Sequence, residues 1–103
     1  MDRERRNPQP PLDDLGKLIV EGKDAATYLW QVPDDRATRV RLEEVLESIK
    51  RESAARGRRE MPLLCEELLM ALRAAPGPRQ VDLLQDGFDR LYRMWEAAKT
   101  GLF

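Results

Sequence analysis

The chain has 103 residues, of which 36% are charged and 42% hydrophobic, the size of one domain that buries roughly 60% or more of its unfolded surface in a single core. Eighteen lysines and arginines against 19 aspartates and glutamates give a formal net charge of -1, so no global field recruits nucleic acid or an anionic membrane. Cys65 is the only cysteine and there is no histidine, which excludes an intramolecular disulfide and the usual zinc ligand sets and suits a reducing compartment.

Abundant leucine, alanine, glutamate and arginine point to an all-α protein rather than a strand-rich or disordered one. Residues 1–11 are charged and proline-rich, and Pro8, Pro10 and Pro11 lack the amide hydrogen a helix needs, so an extended or mobile leader is expected before a single helical domain over 12–103. No stretch approaches the ~20 apolar residues required to cross a bilayer, and the expectation is a cytoplasmic protein without a membrane partner.

From Leu12, the residues Leu12, Leu15, Ile19, Ala26, Leu29 and Trp30 fall on one helical stripe. Gly16 and Gly22 each cost about 1 kcal/mol relative to alanine within a helix, so a break near Gly22 is expected, with Asp24 capping the second piece. Pro33 stops this helix, and Asp34 or Asp35 is placed to cap the next. The second helix is predicted from about Asp35 to Arg56, burying Leu42, Val45, Leu46, Ile49 and Ser53, and Gly57 is its natural stop.

A third helix opens near Glu60, tolerates Pro62 in its first turn and buries Met61, Leu64, Cys65, Leu68, Ala71 and Leu72. Pro76, Gly77 and Pro78 end it. The fourth, roughly Arg79 to Lys99, presents Val81, Leu84, Phe88, Leu91, Tyr92, Trp95 and Ala98 inward. Trp30 reads as a lid on the core, and Gly101, Leu102 and Phe103 as an apolar tip. Short connections favour an antiparallel, up-down four-helix bundle.

Little here is equipped for catalysis, and no catalytic, cofactor or metal residue is assigned. Histidine is absent, and Cys65 lies on an apolar stripe where a thiol behaves as a small hydrophobe. Glu43, Glu44 and Glu47 face away from Val45, Leu46 and Ile49 and read as a solvated surface. Lys50, Arg51, Arg56, Arg58 and Arg59 form the densest basic cluster, but Glu52 and Glu60 dilute it and no aromatic residue is interleaved for base stacking, which argues against nucleic acid as a partner.

The segment from Glu47 to Leu72, ESIKRESAARGRREMPLLCEELLMAL, resembles the central hairpin of histidine phosphotransfer domains, which include the phosphotransfer domain of chemotaxis kinases. That family carries a phospho-accepting histidine on an exposed helical face, a lysine three residues later and a helix-ending glycine ten residues beyond the histidine. Lys50 matches the lysine and Gly57 the glycine, while Met61, Leu64, Cys65 and Leu68 match the apolar offsets of the following helix. Glu47 occupies the histidine position, and Arg51 stands where the family usually has glycine.

The resemblance implies a pseudo-phosphotransfer module without relay chemistry, whose partner is a response-regulator receiver domain or a histidine kinase. The docking face it implies comprises Glu43, Glu44, Glu47, Lys50, Arg51, Ala54 and Arg58. Helix geometry adds that Glu47 lies about 160° around from Ile49, with Lys50 and Arg51 one turn further on. The alternative readings are a generic scaffold or dimerising bundle and, behind it, a nucleic-acid-associated regulator.

Overall fold

Capping residues and apolar spacing divide residues 12–100, those described by the computed structural model, into four helices: α1 Leu12–Tyr28, α2 Arg36–Ala55, α3 Glu60–Leu72 and α4 Pro78–Lys99. The leader expected over 1–11 and the tip formed by Gly101, Leu102 and Phe103 lie outside the described residues. No strand occurs among the described residues.

Of the two candidate caps, Asp35 begins α2: its backbone is extended, and its carboxylate accepts from the Thr38 amide at 3.0 Å and from the Thr38 hydroxyl. Those bonds, the hydroxyl's first, favour the charged form and lower the Asp35 pKa. At the other end, Gly57 takes φ of +77°, its amide donates to Ala54 O at 3.0 Å, and the Arg58 amide donates to Ser53 O at 3.0 Å. Together these bonds form a Schellman motif, which satisfies α2's last carbonyls and needs a residue without a Cβ penalty at Gly57.

Buried α2 side chains are Leu42, Val45, Leu46, Ile49 and Ser53, as the spacing predicts. Ser53 is accommodated because its hydroxyl donates to Ile49 O at 2.7 Å. α3 buries Leu69 in addition to the predicted Met61, Leu64, Cys65, Leu68 and Leu72, whereas Ala71 is half-buried. In α4, Tyr92 and Ala98 are half-buried and Trp95 nearly closed off.

Cross-helix contacts run in reverse sequence order, which makes each neighbouring pair antiparallel. Gly16 meets Trp95 and Gly22 meets Phe88 across α1–α4, while Glu43 and Lys50 of α2 pair with Arg73 and Glu66 across α2–α3. Among the described residues, backbones approach closely only between helices adjacent in this ring, giving the expected four-helix bundle around one core.

α1 does not break at Gly22, and Asp24 caps nothing: the helix is continuous from Leu12 to Tyr28. Local propensity is overridden by packing. A Cβ on Gly22 would lie 2.1 Å from Phe88 Cε1, and one on Gly16 would lie 2.3 Å from Trp95 Cζ2. Both glycines let aromatic rings of α4 rest directly on the α1 backbone. Trp30 follows the end of α1 and remains about half exposed, its indole N–H donating to Gln85 Oε1, so it stands beside the core rather than closing it.

A polar knot fixes the end of the bundle where α3 finishes and α2 and α4 begin. Arg39 of α2 donates through Nη1 to Gln80 Oε1 and through Nη2 to Leu72 O, each at 2.7 Å. Gln80, 5% exposed at the start of α4, donates to Ala71 O at 2.9 Å and Ala74 O at 2.8 Å. The carbonyls that α3 leaves without intrahelical partners are thus satisfied by side chains from its two neighbours.

Substituting Gly22→Ala tests whether packing outweighs propensity. Alanine gains about 1 kcal/mol of helix propensity, yet its methyl must displace the fully buried Phe88 ring, so urea denaturation is expected to show a net loss of about 1–3 kcal/mol.

Candidate functional site

The outward side of α2 is set by its inward one. Because Val45, Leu46 and Ile49 close the core, Val40, Glu44, Arg51 and Ala54 are exposed, and Glu43, Glu47 and Lys50 are half-exposed at the edges of the same surface. Arg58 lies just beyond the helix, in the turn that Gly57 creates. Every residue of the predicted docking face therefore belongs to this side of α2 or to the turn that follows it.

Electrostatic partners subdivide this surface. Arg73, just past α3, reaches Glu43 at 3.1 Å and Glu47 at 3.8 Å, and Lys50 Nζ lies 3.2 Å from Glu66 of α3. Glu44 pairs within its own helix, 3.2 Å from Arg41, while Arg41 also reaches back to Glu21 of α1. The pairing with these two carboxylates raises the Arg41 pKa, Glu21's hydrogen bond first. Arg51 turns toward α1: its Nη2 donates to Ser48 Oγ at 3.4 Å, and it borders a groove of about 430 Å³ with Asp14, Lys17 and Leu18.

Glu47, Lys50 and Arg51 are consequently neighbours along the helix but do not act as one cluster. Two of them are neutralised by α3, in a seam of exposed ion pairs, and the third stands over the α1–α2 groove. An expectation of purely solvated glutamates misses Arg73, which lies 26 residues beyond Glu47 and enters only through the hairpin.

Val40 is not among the predicted docking residues. It is 49% exposed, two turns before Glu47, and lines a shallow pocket of about 190 Å³ with Arg36, Leu72 and Arg73. A valine on the solvated side of an otherwise charged helix is the signal that spacing alone offered. The larger groove, about 580 Å³ between α1 and α4, has Val20, Tyr92 and Trp95 for its apolar walls and Lys17, Glu21 and Asp24 at its rim. Among the described residues, no three histidine, cysteine, aspartate or glutamate side chains gather as a metal site would require.

Cys65 is fully buried, and desolvation, opposed by the Lys50 charge and aided by that of Glu47, pushes its thiol up to about 12. Because burial raises the folded pKa, the contribution of the neutral thiol to stability is intact below pH 9.0 and is lost as pH climbs toward 12. Relative to Cys65→Ala, the wild-type chain is expected to lose about 1.4 kcal/mol of unfolding free energy per pH unit in that window, measured by urea titration at successive pH values. A thiol reagent at neutral pH is expected to modify Cys65 only as fast as the chain opens.

Among known proteins, no family model matches the chain, and neither a curated protein nor a solved structure matches it.

Proposed function

We propose that the protein is a non-catalytic adaptor of the pseudo-phosphotransfer kind, acting in two-component or chemotaxis-like signalling, and that it binds a response-regulator receiver domain or a histidine kinase through the outward side of α2. The observation that carries this reading is Glu47, half-exposed on the surface of an unbroken helix at the position where the resembling family holds its histidine, with Lys50 one turn on and Gly57 ending the helix. A carboxylate there does not take over imidazole's work as a phosphoryl carrier, so the module recognises without relaying.

Charge and shape support protein recognition on this side. Receiver domains of that family hold their phosphorylated aspartate in an acidic pocket, which Lys50 and Arg51 complement, and complementary charge chiefly sets encounter rate and partner choice. Val40 and Ala54, two turns before and after Glu47, supply exposed non-polar contact at either end of the charged stretch.

Titration of the labelled chain with candidate receiver domains tests the reading. Arg51→Glu and Val40→Asp are each expected to weaken binding about tenfold or more, equivalent to about 1.4 kcal/mol, with circular dichroism unchanged because both positions are exposed. Affinities untouched by either substitution would remove this side of α2 as the docking surface. Incubation with an active histidine kinase and ATP is expected to leave the chain without acid-labile phosphate, since it contains no histidine.

A further inference from the structure

A second surface, separate from the outward side of α2, is apolar without being part of the core. Leu63 and Met70 of α3 are 60% and 71% exposed and Leu83 of α4 is 51% exposed. On α3, Glu66 leans to α2 through Lys50, and Leu68 leans to α4, where its methyls would be struck by any Cβ at Gly87. Leu63 and Met70, seven residues apart, form the outward row between those two sides. Leu83 lies one turn before Gly87, on the shoulder of α4 that adjoins α3. The register that brings Leu72 to Gln80 and Leu68 to Gly87 brings Met70 level with Leu83.

Opposite charges accompany these side chains, one on each helix. Glu67 lies between Leu63 and Met70 on α3, and Arg90 lies seven residues beyond Leu83 on α4; both are exposed. Neither has an ion pair or side-chain hydrogen bond among the described residues, although Asp86 stands one turn before Arg90. By the same register Glu67 stands between the levels of Asp86 and Arg90, and because helix side chains lean toward their own N-termini, Glu67 and Arg90 on antiparallel helices lean toward one level while Asp86 leans away from it. A two-fold rotation that lays α3 of one copy over α4 of another therefore brings Glu67 and Arg90 together twice.

We propose that the α3–α4 surface joins two copies of this chain about a two-fold axis, with Met70 and Leu83 packed at its centre and Glu67 of each copy facing Arg90 of the other. The occupant is a second copy because the charge pattern matches its own rotated image. α3, with 13 residues, is about 20 Å long, and two helices side by side are about 20 Å wide. Such a surface covers on the order of 400 Å² per copy, below the size of stable specific interfaces, so the dimer is a weak one that separates on dilution. The outward side of α2 stays open in it.

Sedimentation equilibrium of the full chain over a range of concentrations reads this out. The expected result is a mass that rises reversibly from the 11.9 kDa of one chain toward twice that, and association at least tenfold weaker in Met70→Glu, Glu67→Arg and Arg90→Glu. Mixing the Glu67→Arg and Arg90→Glu chains is expected to restore association between unlike chains, because each then offers the other two attractive pairs. A single 11.9 kDa species at every concentration overturns the proposal. So does association that survives both charge reversals, or a mixture that associates no better than its components.

Discussion

Bare backbone is what closes this bundle. Trp95 and Phe88 of α4 rest on α1 at Gly16 and Gly22, at distances a Cβ would make impossible. Two glycines inside one helix cost about 2 kcal/mol in propensity. Each ring in return removes on the order of 150–250 Å² from water, worth several kcal/mol at about 25 cal/mol per Å². Burial wins, and α1 stays helical where its local sequence argues for a break. Because the two contacts occur in reverse order along the two helices, they also fix antiparallel register: sliding by one residue would turn each ring against a side chain instead of a gap.

The Arg39–Gln80 knot performs the corresponding task for α2, α3 and α4. Exposed ion pairs such as Lys50–Glu66 or Arg73–Glu43 contribute at most about 1 kcal/mol each, less as salt screens them. The knot differs because its acceptors are main-chain carbonyls at the end of α3, for which an unmade bond costs about 1–3 kcal/mol. Its geometry also determines how Gln80 is oriented: the amide oxygen must accept from the guanidinium, leaving the amide nitrogen to donate to carbonyls. With α1 held by rings and α3 by this knot, the rotation of α2 about its axis is set, and the side opposite Val45, Leu46 and Ile49 faces outward.

α2 was fully legible in the sequence because everything that defines it is local: an aspartate cap three residues before Thr38, an apolar stripe and a glycine stop. Its buried set matches the spacing residue for residue. α1 was misread at Gly22 because propensity describes a helix alone, whereas the decisive neighbour, Phe88, is 66 residues away. Leu69 was missed for a related reason, since the side of α3 buried by two flanking helices is wider than a single stripe. The outward side of α2 was legible in outline, position 47 facing outward, but not in its pairing: Arg73 and Glu66 reach it only after α3 folds back. Charge patterns along one helix cannot show which charges an adjacent helix has already neutralised.

That neutralisation bears on how recognition through α2 would operate. A partner approaching Glu47 or Lys50 meets charges with existing counterions, so each new ion pair replaces an old one and the net gain is small. Arg51 differs, since its guanidinium contacts only a serine hydroxyl among the described residues. Val40 differs too, because its methyls gain from leaving water whatever the partner's charge. Under the proposed docking, affinity therefore comes mainly from Val40 and Arg51, while the Glu47–Arg73 and Lys50–Glu66 pairs hold the surface in one shape and reject partners of the wrong charge pattern. A surface of that kind discriminates more than it grips, which suits an adaptor whose association must be reversible.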